Sequence, residues 1–198
     1  MARRNVRRQT SKSRPGRLRI VAGKWRSRVL PIVEGDTLRP TPERVRETLF
    51  NWLAPRIEGA RCLDAFAGTG ALGFEALSRG ASRVVFLETD REASRTLEQN
   101  RELLAADGAD ILGDDAYRYL AAESRDTFDI VFLDPPFKDD RAAELCRLLD
   151  KGGLLAPGAM VYLEEPRERP PTDLPESWVI KKQKAAGNVR YSLIAAAR

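Results

Sequence analysis

Asp134-Pro135-Pro136-Phe137 stands directly after Phe128-Asp129-Ile130-Val131-Phe132-Leu133, the most apolar short run in the chain. A carboxylate, two prolines and an aromatic ring in that order suit a nucleophile that must be held rather than activated. The prolines fix φ and stiffen the loop. An exocyclic amine of a nucleobase is a poor nucleophile, because its lone pair is delocalised into the ring. If the Asp134 side chain and the Pro135 carbonyl accepted hydrogen bonds from its two N–H groups, they would orient the nitrogen and stabilise positive charge as it develops. Phe137 offers a face on which a flipped-out base stacks. In an arbitrary protein Asp-Pro-Pro is only a turn after a strand. Asp134, Pro135, Pro136 and Phe137 become catalytic candidates because a second signal lies elsewhere in the chain.

That signal is Asp64-Ala65-Phe66-Ala67-Gly68-Thr69-Gly70-Ala71-Leu72-Gly73, a glycine-rich turn between an apolar run and a helical pattern. In an open α/β sheet this is where the crevice beyond the strand ends accepts a nucleotide, and glycines let the main chain come close to it. Gly68, Gly70 and Gly73 match GxGxxG, with Glu88 twenty residues after Gly68. On those residues alone a nicotinamide dehydrogenase stays open. Asp64 discriminates, because a carboxylate just ahead of the glycines would repel a pyrophosphate. S-adenosylmethionine carries a sulfonium and an ammonium and no phosphate, so the same carboxylate attracts it. Glu88 would accept from two ribose hydroxyls, with Thr89 beside it. Asp115 and the Ala116 amide would meet the adenine edge, although Asp115 or Asp114 reads equally well as a plain helix cap.

The bulk numbers narrow the class. A chain of 198 residues with 42% hydrophobic content supports one α/β core and small appendages. There is no histidine, and the two cysteines, Cys62 and Cys146, form no CxxC pair. Neither a metal site nor a disulfide framework is expected, only reduced buried thiols. A product ammonium is acidic enough to lose its proton to Asp134 or water, so the chemistry needs no histidine. No secretory signal or membrane-length apolar run occurs, which predicts a cytoplasmic protein, and nothing demands more than a monomer. Eleven basic residues and no acidic one lie between Met1 and Val33; taking that +11 from the net +5 leaves −6 for the remainder. The positive charge is thus gathered on one segment that can be aimed at a polyanion.

The elements that position these residues follow from periodicity. Residues 1–16 are polar, Arg-rich and predicted to be a disordered basic tail. Residues 17–56 form an extension: Leu18–Ala22 and Val29–Ile32 predict a β-hairpin around Gly23-Lys24-Trp25-Arg26. Thr41 then caps a helix beginning at Pro42 and presenting Val45, Leu49, Trp52 and Leu53. Residues 57–198 form the catalytic domain. Strands are expected at Cys62–Phe66, Arg83–Glu88, Ile111-Leu112, Phe128–Leu133 and Ala159–Leu163. Helices are expected at Gly70–Ser78, Asp90–Ala105, Ala116–Ala122 and Arg141–Leu149, and a terminal hairpin at Trp178–Gln183 and Val189–Ala195. The fold class is α/β: a mainly parallel twisted sheet with helices on both faces and a C-terminal antiparallel hairpin.

At these residues the chain resembles the Rossmann-like Class I methyltransferases that modify exocyclic amines with a (D/N)PP(Y/F/W) loop. More narrowly it is similar to the RsmD family of bacterial 16S rRNA guanine-N2 methyltransferases. The narrow resemblance is carried by Arg39-Pro40-Thr41, Arg44–Leu53, Asp64–Gly73, Glu75–Ala81 and Phe132–Phe137, and weakly by Gly187, Val189 and Tyr191. It implies S-adenosylmethionine as cofactor, held by Arg39, Pro40 and Thr41 at its methionine end. Asp64, Ala65, Phe66, Ala67, Gly68, Gly70, Ala71, Glu88, Thr89, Asp115 and Ala116 complete the cofactor set. It implies 16S rRNA of the small ribosomal subunit as partner, at guanine 966, and an assembled or partly assembled particle as substrate. Arg17, Arg19, Lys24, Trp25, Arg26 and Arg28 would then meet RNA; for Trp25, packing beneath the hairpin competes with stacking on a base. Lys181, Lys182 and Lys184 would solvate a strand edge. A DNA-adenine or protein-glutamine methyltransferase shares the Asp-Pro-Pro chemistry, but the Arg44–Leu53 helix argues against both. A non-catalytic RNA-binding assembly factor would require a broken cofactor site, and both loops look intact.

Overall fold

A computed structural model of the chain describes residues 16–33, 40–122, 126–136, 138 and 140–196. The predicted tail at 1–16, Arg39 and Phe137 therefore lie outside the described residues, apart from Gly16, which begins the first strand. Strands β1 (Gly16–Arg19) and β2 (Val29–Ile32) pair antiparallel as the expected hairpin, with Leu18 opposite Leu30. Their alternation puts Leu18, Leu30 and Ile32 inward and Arg17, Arg19 and Val29 outward. Helix α1 (Glu43–Leu53) buries Val45, Leu49, Phe50 and Leu53 on one stripe. Thr41 does not cap it: Pro42 occupies the cap position without a side-chain hydrogen bond, and the Thr41 carbonyl instead accepts from Arg46 Nε at 3.1 Å.

The body is a seven-stranded sheet. Five parallel strands, β3 (Arg61–Asp64), β4 (Arg83–Leu87), β5 (Ala109–Leu112), β6 (Phe128–Leu133) and β7 (Leu155–Pro166), stand in the order β5-β4-β3-β6-β7. The C-terminal hairpin of β8 (Trp178–Ala186) and β9 (Val189–Ala196) adds antiparallel strands, β9 next to β7 and β8 at the edge. It turns at Gly187, where φ is +57°. β4 and β6 read as near-continuous apolar runs because both of their faces are covered. Hairpin, α1, α2 (Ala71–Ser78) and α3 (Arg91–Leu104) share one buried cluster with Cys62, Ile130, Phe132 and Tyr162. Leu63, Val131 and Leu163 instead join a second cluster with α4 (Ala116–Ala121) and α5 (Ala142–Lys151).

Boundaries differ from expectation where local chemistry overrides pattern. The first sheet strand stops at Asp64 rather than Phe66, because the chain turns there to begin the glycine loop. β7 is far longer than Ala159–Leu163, since Pro157 and Gly158 at one end and Glu164-Glu165 at the other interrupt the apolar pattern, while Leu155 still pairs with Phe128 of β6 and Glu164–Pro166 with β9. Cys62 and Cys146 are free and buried, and burial pushes both thiols above their ordinary value.

Candidate active site

Two loop tips adjoin at the centre of the sheet. From β3 the chain proceeds to β4 and β5 on one side and later to β6 and β7 on the other, so the strand order reverses between β3 and β6. The crevice of an open α/β sheet forms at such a switch point. Asp64 pairs in register with Phe132, and Ala65 N donates to Phe132 O at 3.1 Å. The glycine turn and the Asp134-Pro135-Pro136 segment therefore leave the same edge of the sheet on neighbouring strands. Gly68 and the start of the proline loop do not face opposite sides of the molecule.

The glycine turn is held by its own polar groups. Ala67 N donates to Leu87 O (3.0 Å), Gly68 N to Glu88 Oε2 (2.8 Å) and Gly70 N to Ala67 O (2.7 Å). Asp64, 2% exposed, accepts from Gly73 N through Oδ2 at 2.9 Å, so it ties strand to helix in addition to any part in binding. Gly68 and Gly70 sit at φ +50° and +75°. At Gly70 and Gly73 the glycine requirement is one of packing more than of ligand approach. A Cβ on Gly70 would lie 2.6 Å from Leu97 Cδ2 and Phe74 Cδ2, and one on Gly73 only 2.1 Å from Phe86 Cε1.

Glu88 uses Oε1 to accept from Asp90 N at 2.7 Å, and each of its oxygens keeps a second lone pair for a ribose hydroxyl. With Thr89, Arg91, Ser94, Arg95 and Gly113 it lines a cleft at the ends of β4 and β5. Asp115 caps α4 through Oδ1 to Arg118 N (3.0 Å), and buried Ala116 opens that helix. The cap is present, and Oδ2 remains for another donor. Phe66 lies edge-on to Tyr117 of α4 with centroids 6.2 Å apart, and the Arg141 guanidinium covers the Tyr117 ring at 3.6 Å. Pro40 is half-buried and Thr41 buried at the foot of α1.

Asp134 and Pro135 are half-buried and buried respectively, while Pro136 is exposed. Sequence reasoning missed a third carboxylate here, Glu164. Leu133 pairs with Leu163, so the next residues along, Asp134 and Glu164, reach the sheet edge side by side. Alternation puts Asp64, Asp134 and Glu164 on the face that also carries Phe132 and Tyr162. The signal that could have found Glu164 is positional: like Asp64 and Asp134 it is an acid at the tip of an apolar strand. Burial, then the Glu164 and Asp64 carboxylates, hold the Asp134 carboxyl well above the ordinary range. Burial likewise pushes Asp64 up to about 7, against the Gly73 hydrogen bond and with Glu88 adding. Glu164 is raised by burial and opposed by the hydrogen bond from Tyr162. Such upward shifts mark negative charge that the protein itself does not neutralise. A cation fits there and a pyrophosphate does not, which favours a sulfonium donor over a dinucleotide.

On the hairpin, Arg17, Arg19, Lys24, Arg26 and Arg28 are exposed. Trp25 is 7% exposed and packs in the core, its backbone N–H donating to Ser78 Oγ at 3.0 Å and the Lys24 ammonium 5.3 Å from its ring. Packing beneath the hairpin, the commoner fate of a tryptophan, leaves little ring for a base. Lys181, Lys182 and Lys184 are exposed along edge strand β8. Among the described residues no group of three His, Cys, Asp or Glu side chains could hold a metal ion, and no helix is long and apolar enough to cross a membrane.

Comparison with known proteins agrees with this geometry. Residues 18–195 match the family model described as conserved hypothetical protein 95. Ribosomal RNA small subunit methyltransferase D of Escherichia coli is 45% identical over 178 residues, covering 90% of this chain and 89% of that protein. Its Haemophilus influenzae counterpart is 43% identical over 181 residues, covering 90% and 93%. The solved structure of a putative methyltransferase from Escherichia coli superposes with a TM-score of 0.86 at 42% identity, over 92% of this chain and 99% of that one.

Proposed function

This chain belongs to the RsmD family of ribosomal RNA methyltransferases, and we propose that it moves the methyl group of S-adenosylmethionine onto the exocyclic N2 of a guanine in 16S rRNA of the small ribosomal subunit, by family resemblance guanine 966. The observation that carries this reading is the juxtaposition of Asp64 and Asp134, on one face of adjacent strands, both with raised carboxyl pKa values. S-adenosylmethionine supplies an electrophilic methyl group on a sulfonium. Around it, Asp64 would take the ammonium, Glu88 the ribose hydroxyls, and Asp115 with the Ala116 amide the adenine edge; by the family resemblance Arg39, Pro40 and Thr41 would serve the methionine end. Asp134 and the Pro135 carbonyl accept the two N2 hydrogens, aim the nitrogen's lone pair at the methyl carbon and stabilise the charge it acquires. Phe137 stacks on the extruded base. Asp134 or water then takes the proton released. The exposed hairpin cations meet rRNA phosphate, and the rRNA substrate places the reaction in the cytoplasm.

Asp134→Ala tests this reading. Transfer of labelled methyl to small-subunit particles should disappear while S-adenosylmethionine affinity stays within about threefold, since Asp134 contacts the base. Mass-spectrometric mapping of the product should show N2-methylguanine. Retained turnover, or label recovered at an adenine, a DNA or a protein, would overturn the assignment.

A further inference from the structure

Holding N2 does not by itself choose guanine, because adenine also presents an exocyclic amine that an Asp-Pro-Pro loop can grip. What separates the two is the ring nitrogen next to that amine. In guanine N1 carries a hydrogen, whereas in adenine it carries a lone pair. We infer that the Glu164 carboxylate accepts the N1–H of the target guanine and is thereby the residue that selects guanine over adenine. The inference rests on the N2 reading above and goes beyond it to the base edge.

The placement follows from register. Glu164 is the residue of β7 that reaches the sheet edge beside Asp134 of β6, on the same face, and neighbouring strands lie about 4.8 Å apart. Guanine's N1–H and N2–H point out from one edge of the ring, nearly parallel, so two acceptors on adjacent strands can take one each. Glu164 is 5% exposed, and Tyr162 Oη donates to its Oε1 at 2.6 Å. That hydrogen bond anchors the carboxylate and commits one oxygen. Oε2 has no hydrogen-bond partner among the described residues, and Glu164 shares the wall of a cavity with Pro135 and Pro136. A carboxylate oxygen that meets no donor, on a side chain only 5% exposed, is a site for one, and the Watson–Crick edge of guanine brings a donor to it. With adenine gripped through N6, the N1 lone pair would face the carboxylate and repel it. Electrostatics agrees: the Glu164 carboxylate adds to the cost of charge on Asp134, burial raises the cost of charge on Glu164 itself, and an N–H delivered to each offsets it.

The probe is 2-aminopurine, which keeps the N2 amine of guanine but replaces N1–H with a lone pair. Small-subunit particles are reconstituted with 16S rRNA carrying guanine or 2-aminopurine at the target, and kcat/KM is measured for each. Wild-type enzyme should favour guanine by about a hundredfold or more, as expected where a site loses the donor it is built to bind. In Glu164→Ala that ratio should fall at least tenfold. Any preference arising from O6, which 2-aminopurine also lacks, is untouched by the substitution. Glu164→Gln keeps the side-chain volume. Its amide can turn to accept from guanine N1–H or donate to the 2-aminopurine nitrogen, so the ratio should drop chiefly through a gain on 2-aminopurine. S-adenosylmethionine binding reports that each variant is folded. If Glu164→Ala does not fold, Glu164→Gln decides. A ratio unchanged in every folded variant overturns the role of Glu164 while N2-methylguanine still forms, whereas absence of N2-methylguanine with wild-type enzyme overturns the underlying activity instead.

Discussion

Glu75→Gln should destabilise the protein far more than its surroundings in sequence suggest. Glu75 lies in α2 with no exposure and accepts from four donors. These are Val21 N (2.8 Å), Ala22 N (3.0 Å), Arg46 Nη1 (3.3 Å) and Arg79 Nε (2.7 Å). The Arg46 guanidinium is 2% exposed; burial pulls its pKa down and Glu75 opposes that. Glutamine keeps one acceptor oxygen and turns an NH2 toward donors that already point inward. Removing one partner of a buried pair costs about 3–5 kcal/mol, because the other charge is left uncompensated. Arg79, 16% exposed at its side chain, recovers water and adds little. At about 2–4 °C per kcal/mol for a domain of this size, the melting temperature should fall by roughly 6–20 °C. Urea and thermal unfolding of the purified protein measure it. The double variant Arg46→Met, Glu75→Leu should recover part of the loss, the two hairpin amides staying unpaired. A single-variant loss below about 1 kcal/mol would mean that water reaches this cluster and that the hairpin is not docked as described.

Three further outcomes are expected. Gly73→Ala forces a Cβ to within 2.1 Å of Phe86, a fully buried ring already 4.9 Å from Phe74. It should cost about 1–3 kcal/mol by urea midpoint, and wild-type stability would refute the packing argument. Asp64 titrates near 7 and must be ionised to hold an ammonium. Calorimetric affinity for S-adenosylmethionine should therefore weaken as pH falls below about 7, by up to about tenfold per unit until the lower pKa of the complex is reached. It should weaken again above roughly 8 as the ligand's own amine loses its proton; Asp64→Asn should bind weakly and without the acid limb, and a retained limb refutes the assignment. Replacing exposed Arg26 and Arg28 by Ala should reduce the slope of log affinity against log salt by about 1 for each phosphate that is no longer neutralised. An unchanged slope would place the RNA elsewhere.

The strands were legible because covering both faces of a parallel sheet leaves apolar runs that mark themselves, as in Phe128–Leu133. The two loops were legible because glycine and proline punctuate the chain where its direction changes. What escaped was acid whose role depends on distant partners. Glu75 is the only charged residue in α2, and nothing local shows that the amides of Val21 and Ala22 close over it. Glu164 fell outside the expected strand because charge at Glu164-Glu165 reads as an ending, while pairing to β9 carries the strand on to Pro166. Thr41 satisfied the rule for a helix cap, but Arg46 claims its carbonyl. In each case a partner from 5 to 54 positions away outweighed the neighbours in the chain.

The hairpin is stitched to the far end of α2. Lys24 N meets Ser78 O at 2.6 Å, Ser78 Oγ donates to Ala22 O at 2.6 Å, and at Gly23 a Cβ would fall 1.8 Å from Ser78 O. Cutting the chain ahead of α1 would therefore remove more than the exposed hairpin cations. It would unroof Glu75 and Ser78, strip Arg46 of the Arg19 carbonyl it donates to at 2.9 Å, and wet the underside of the helix that follows the glycine turn. The hairpin's surface charge can be altered by recharging its exposed side chains, whereas truncation also removes a structural support of the sheet.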